Sequence, residues 1–237
     1  MLIQTPYRIY PCGDHAVTIE LGNTLDADIN QKVISLFSYL QLNPVLGVKD
    51  IIPSYHTLTI IYDLALLKKQ SPASSVYDRM CNQLETAANA CTVISTTVRT
   101  IQIPVCYDLS MAPDLASIAD LHQLSIEQVI QLHTEKLYRV YLLGFLPGFA
   151  YMGNVDEKIA TPRKTTPRTM VPAGSVGIAG EQTGIYPFDS PGGWQLIGQT
   201  PVEMFNVEKP QPCYLQPGDA VQFYPITVTE FVKLKKA

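Results

Sequence analysis

Ten of the fourteen glycines and seven of the eighteen prolines fall between residues 144 and 201. Few helices survive that density. Proline removes a backbone donor and clashes with the preceding turn, and glycine loses the most conformational freedom on entering a helix. The second half must therefore be made of short strands and loops. From about Tyr138 the chain reads as β-structure, with later runs in "VEMFNV", "CYL", "AVQFY" and "VTEFV". That pattern predicts an all-β barrel or sandwich carrying long functional loops. Two short helices precede it, "APDLASIADLHQL" and "SIEQVIQLHTEKL", the second opened by a capping-box pattern of Ser125 and Gln128.

The first part alternates strands and helices. "RIY" and "AVTIEL" are short β-type runs around the turn-prone Pro11 to Asp14. Residues 25 to 42 carry Leu25, Ile29, Val33, Leu36, Phe37 and Leu40 on one helical face, with Asp26 and Asp28 in the first turn. "VKDII" and "TLTIIYD" follow as strands joined by Pro53 and Ser54. A second helix is expected with Ser71 as its N-cap and Pro72 at its first position. Its apolar residues Val76, Met80, Leu84, Ala87 and Cys91 repeat every three or four positions. A β-rich stretch near Val93 to Ile103 closes the unit. Strand pair, helix, two strands, helix, strand matches a ferredoxin-like α+β sandwich, both helices on one face of an antiparallel sheet. The boundary is placed near residue 95, giving domains 1–95 and 96–237.

Composition narrows the function. Hydrophobic residues make up 46% of 237, enough for a sizeable core. A net charge of −4 argues against nucleic acid, which demands clustered cations. No apolar run reaches membrane length, and the first residues lack the basic and apolar regions of a signal peptide. Five widely spaced cysteines, an odd number, read as reduced residues of a cytoplasmic protein. There is no P-loop and no G-x-S-x-G elbow; "GSVGIAG" lacks the lysine and the strand–helix context of a nucleotide loop. The four histidines (His15, His56, His122, His133) have no i, i+4 pairing and no C-x-x-C is present, so no metal site is expected. The helices at 113 to 136 resemble a helix-turn-helix only in outline. Glu127 and Glu135 against Lys136 favour two packing helices.

Several residues are candidates for chemistry. His133 shares the apolar face of Ile126, Val129, Ile130 and Leu137, which reads first as a core histidine and second as a proton-transfer group. In "GFLPGFAYMG", Phe145 is expected in the core, while the hydroxyl of Tyr151 can orient a ligand. "TPRKTTPR" repeats Thr-Pro-Arg five residues apart and gathers Arg163, Lys164 and Arg168, either a solvated loop or an anion clamp. Residues 171 to 194 interleave spaced glycines with Glu181, Gln182, Tyr186, Asp189 and Ser190, more in keeping with function than with filler. At its end Gly192 and Gly193 are expected to bring backbone against a ligand or partner strand. Trp194, the sole tryptophan, would form the apolar wall. The candidate substrate-binding set is thus Tyr151, Arg163, Lys164, Arg168, Gln182, Tyr186, Gly192, Gly193 and Trp194.

Taken together, "LGFLPGFAYMG", "TPRKTTPR", "VPAGSVGIAG" and "QTGIYPFDSPGGWQLIGQTP" resemble the KipI/PxpB family, with "CGDHAVTIELG" the main match in the first part. The resemblance implies a ferredoxin-like domain followed by a cyclophilin-like β-barrel. It implies a cytoplasmic B-type subunit of an ATP-dependent 5-oxoprolinase, inactive alone, working with C-type and A-type partners on a small anionic substrate. ATP would be bound with or by those partners. Two other readings stay open: an inhibitor that docks on a sensor histidine kinase, and an amide- or urea-processing protein related to allophanate hydrolase and urea carboxylase.

Overall fold

The structure is a computed structural model that describes residues 6–70, 72–92 and 98–236. The chain divides into two compact units, Met1–Thr97 and Val98–Ala237. In the first, strands β1 (Arg8–Pro11), β2 (Ala16–Glu20), β3 (Val48–Pro53) and β4 (Thr57–Tyr62) form a sheet of order β1-β2-β4-β3 in which every neighbouring pair is antiparallel. Along β4, Leu58, Ile60 and Tyr62 are buried while the residues between them are half-buried. That two-residue period gives the sheet one covered face. Helix α1 (Ala27–Leu42) packs on β3 and β4, and α3 (Val76–Ala90) on β2 and α1. Val33, Leu36 and Leu40 from α1 and Met80 and Leu84 from α3 share one apolar cluster with Val17 and Ile19. The Asp26 carboxylate caps α1 by accepting from the Asp28 and Ile29 amides, each at 2.8 Å.

Three details differ from expectation. Ser71 lies outside the described residues, and α3 is capped instead by Ser75, whose hydroxyl accepts from the Asp78 amide at 3.2 Å. That start places Asp78 in the first turn, where its charge suits the helix dipole. A further helix, α2 (Leu64–Gln70), follows Asp63, whose carboxylate caps the Leu66 amide at 2.9 Å. The closing strand near Val93 to Ile103 divides. Residues 93–97 lie outside the described residues, and Thr100–Cys106 is strand β5 of the second unit.

The second unit is a closed barrel of order β10-β7-β6-β13-β5-β12-β9, in which only β13 and β5 run parallel. Its strands are β5, β6 (Leu137–Leu143), β7 (Ala150–Gly153), β9 (Ser175–Ala179), β10 (Gln182–Ile185), β12 (Gln195–Gln199) and β13 (Ala220–Ile226). A separate ribbon pairs β8 (Arg168–Val171) with β11 (Ser190–Gly192). Helices α4 (Leu115–Leu121) and α5 (Ile126–Thr134) pack together, and α5 lies on β13. Both halves of the Ser125–Gln128 capping box are formed.

Three expected β runs near the end are not strands. "VTEFV" lies in helix α6 (Val228–Lys235). Its β-branched residues suggest strand, but Thr227 and Glu230 make a capping box and Lys233 and Lys235 fill the last turn. "VEMFNV" and "CYL" contribute a single bridge, Phe205 to Cys213. Among the described residues, no helix is long and apolar enough to cross a membrane, and no group of three or more His, Cys, Asp or Glu could hold a metal ion.

Candidate functional site

The turn between β6 and β7 sets the first wall of the site. The Gly144 amide donates to Phe149 O, and the Phe149 amide donates to Leu146 O. Gly148 sits at φ +83°, and a Cβ there would meet Met204 O at 2.8 Å, so glycine is required. The proline-rich arm from Thr161 to Arg168 forms the second wall. It is tied to the Gly193–Trp194 segment where the Lys164 amide donates to Gly193 O at 2.7 Å and Gln195 Nε2 donates to Pro162 O at 2.9 Å.

Between these walls lies a recess of about 220 Å³ lined by Phe145, Phe149, Tyr151, Arg163, Tyr186 and Trp194, with Pro167, Pro191, Gly192 and Gly193. Phe149 meets Trp194 and Tyr186 edge to face, with centroids 5.4 and 5.3 Å away, so a ring edge points at a ring face in each pair. The Arg163 guanidinium stands 5.7 Å above the Trp194 ring. Among the described residues no carboxylate pairs with Arg163. Burial pushes both Tyr151 and Tyr186 upward from the usual phenol range. The positive charge of Arg163 opposes that push in both, and in Tyr186 a hydrogen bond from the Trp194 amide opposes it more.

Six of the nine expected binding residues therefore meet: Tyr151, Arg163, Tyr186, Gly192, Gly193 and Trp194. Lys164 and Arg168 do not. Both turn to the buried carboxylate of Asp114, with Lys164 Nζ at 3.1 Å and Arg168 Nη2 at 2.6 Å from the same oxygen. The other Asp114 oxygen accepts from the Leu196 amide at 2.7 Å. Burial alone would raise the Asp114 carboxyl. The Arg168, Leu196 and Lys164 hydrogen bonds overcome it and hold the group below the ordinary range. Of the expected clamp of three cations, Arg163 alone lines the recess, and Lys164 and Arg168 share the single carboxylate of Asp114. Gln182 sits in β10 opposite Gly153 and Ala179, away from the lining. Phe145, expected in the core, is 60% exposed at the rim with φ +69°.

His133 is a core residue. It is wholly buried, stacked on Phe223 at 4.7 Å, and bonded through both ring nitrogens. Thr183 Oγ1 donates to Gly177 O, so it accepts from His133 Nε2–H at 3.1 Å. Nδ1 then accepts from the Tyr107 hydroxyl at 2.8 Å. Burial pulls its pKa down to about 3, so the ring is neutral and has no proton to trade with the recess.

The family described as carboxyltransferase domain, subdomain C and D, matches residues 7–215. The chain belongs to this family. It is 40% identical over 233 residues to the B-type subunit of 5-oxoprolinase from Bacillus subtilis (strain 168), a match covering 97% of each chain. It is 39% identical over 218 residues to the corresponding 5-oxoprolinase subunit of Escherichia coli O157:H7, covering 92% of this chain and 95% of that one. The crystal structure of TTHA0988 superposes with a TM-score of 0.77 at 35% identity, over 89% of this chain; this chain spans only 40% of that longer protein. These matches agree with the resemblance to the KipI/PxpB family carried by the glycine-rich motifs.

Membership gives the paired glycines a sharper test. A Cβ at Gly192 would overlap the Tyr186 hydroxyl and stand 2.7 Å from its Cζ, whereas at Gly193 the nearest atom is 3.6 Å away. Tyr186 is fully buried against Phe149 and cannot move aside freely. Gly192→Ala is expected to destabilise the second unit by about 1–3 kcal/mol through overpacking, and Gly193→Ala by less than about 0.5 kcal/mol. Urea titrations followed by Trp194 emission check the pair, and equal midpoints would remove the argument. The backbone of Gly192 thus approaches this chain's own Tyr186 while it lines the recess.

Proposed function

We propose that this chain is the B-type subunit of an ATP-dependent 5-oxoprolinase, an assembly that opens the lactam of 5-oxoproline to glutamate. The reading is carried by the 40% identity over 97% of both chains with a protein named for that role. The lactam carbonyl is a poor electrophile because nitrogen donates into it. Transfer of the ATP γ-phosphoryl to its oxygen releases ADP and makes the ring carbon attackable. Water adds there and the C–N bond breaks to leave the acyl phosphate of glutamate, which a second water hydrolyses to glutamate and phosphate. Such chemistry needs several donors around phosphate and a site shielded from water. This chain carries no P-loop, and its recess is lined by one cation, Arg163. ATP is accordingly held with or by a C-type and an A-type partner, and the isolated chain is inactive.

In this reading Arg163 meets the negative end of a small substrate. Tyr151, Tyr186 and Trp194 supply the walls, and Gly192 and Gly193 the floor. The first unit is read as a ferredoxin-like sandwich in which β1 takes the place of the closing strand. The second is read as a cyclophilin-like barrel, with the domains dividing near residue 95. The assembly works in the cytoplasm. The test is reconstitution: the full chain is mixed with purified C-type and A-type partners and 5-oxoproline-dependent ATP hydrolysis is measured. Activity is expected only with all three present, and an equal rate without this chain would dismiss the proposal.

A further inference from the structure

We infer that the Trp194 recess selects a flat carboxylate monoanion and rejects polyphosphates, and that Asp114 sets this selectivity by holding two of the three nearby cations out of the recess. The identity of the natural carboxylate rests on the function proposed above; the charge selectivity does not.

The cations and donors at the recess carry this selectivity. Arg163, Lys164 and Arg168 fall within six consecutive positions, and a loop of three free cations would suit phosphate. Asp114 changes that sum. Lys164 Nζ and Arg168 Nη2 both bond to one of its oxygens, and neither residue lines the recess. One cation remains at the cavity, Arg163, held over the face of Trp194. A single guanidinium offers a planar fork that matches one carboxylate with two parallel hydrogen bonds. It cannot balance the several charges of a pyrophosphate, which proteins hold with multiple backbone amides and cations.

Shape agrees with charge. Aromatic rings and two prolines line about 220 Å³. That is below the roughly 300 Å³ at which pockets begin to hold drug-sized ligands. Its aromatic walls suit a small flat ring, and the Tyr151 and Tyr186 hydroxyls lie close enough to Arg163 to feel its charge. Asp114 is therefore a positioning residue. It fixes the arm through Lys164 and Arg168 and fixes the start of β12 through Leu196, the two segments that hold Arg163 and Trp194 together.

The sole tryptophan makes the site its own reporter. The full-length chain, without partners or ATP, is titrated with pyrrole-2-carboxylate, with the neutral pyrrole-2-carboxamide and with pyrophosphate, and Trp194 emission is followed. The carboxylate is expected to bind about tenfold or more tightly than the amide, since a hydrogen-bonded charge pair is lost in the latter. Pyrophosphate should give no saturable response over the same range. Arg163→Met, at an exposed position, should abolish the preference for carboxylate over amide. Asp114→Asn keeps the shape and an acceptor for the Leu196 amide but frees two cations, so pyrophosphate affinity should rise about tenfold or more. Pyrophosphate binding to the wild type as tightly as the carboxylate, or no saturable response to the carboxylate, would overturn the inference. So would an Arg163→Met variant that keeps the preference. A folded Asp114→Asn without the gain would remove Asp114 from it. Because neither pyrrole is a lactam and no turnover is read, loss of the 5-oxoprolinase reading would leave these outcomes unchanged.

Discussion

Asp114→Ala is expected to lower the stability of the second unit by about 3 kcal/mol, as breaking a buried ion pair leaves uncompensated charge behind. The carboxylate is almost wholly buried, while the Lys164 and Arg168 side chains keep 33% and 24% of their exposure. Water can therefore relax around the two cations, which places the loss at the low end of the usual range for buried pairs. The Leu196 amide also loses its acceptor at the head of β12. Removing one cation alone should do less harm, because Asp114 would keep the other cation and the Leu196 amide. Lys164→Met should cost least, its bond being the longer and its side chain the more exposed. Urea unfolding followed by Trp194, which reports the second unit alone, gives the comparison. A midpoint for Asp114→Ala no lower than that for Lys164→Met would refute the structural role.

That carboxylate also marks the limit of what the residues disclose in order. The elements with strong local signals were legible: the Ser125–Gln128 cap, the α1 stripe of Val33, Leu36 and Leu40, and the glycine-rich second half that can only be strands and turns. Helix α6 misleads because Val228, Phe231 and Val232 favour strands, and the decisive cue was the Thr227–Glu230 spacing beside them. The β-rich stretch near Val93 to Ile103 reads as the closing strand of the first unit because the partners of β5, β13 and β12, lie about a hundred residues downstream. Pairing at that distance leaves no local trace. The same holds within the site. Aromatic and glycine residues announce the recess by their density, and six of nine candidates converge there. Whether Arg163, Lys164 and Arg168 act as one cluster depended on Asp114, about fifty residues away, whose only local signal is its place before α4. The pairing of two cations with one buried carboxylate is a tertiary fact, and composition alone overstates the anion affinity of the arm.

His133 gives the second large effect, through acid. Its pKa falls from 6.5 to about 3 on folding, since burial disfavours the imidazolium and both ring nitrogens are already bonded within the barrel. The unfolded chain therefore takes up a proton at higher pH than the folded one. Unfolding binds protons between these two values, so stability rises with pH across the interval, with a slope of about 1.4 kcal/mol per unit. Above pH 6.5 the contribution is level; it is lost progressively as pH falls and the loss saturates near pH 3. Between about pH 8 and pH 5, above the range of most carboxylates, His133 alone should remove about 2 kcal/mol. His133→Gln retains a donor for Thr183 and an acceptor for Tyr107 but does not titrate. The variant should start less stable, because it gives up the stacking on Phe223, and should show a nearly flat stability over the same range. Equal slopes for the two proteins would mean that His133 already opens to water in the folded barrel. A sealed, neutral ring at this place also explains why the barrel tolerates a histidine in its centre: the tautomer accepts from Tyr107 and donates to Thr183 at once, and an apolar residue of the same volume would take away the acceptor of the Tyr107 hydroxyl.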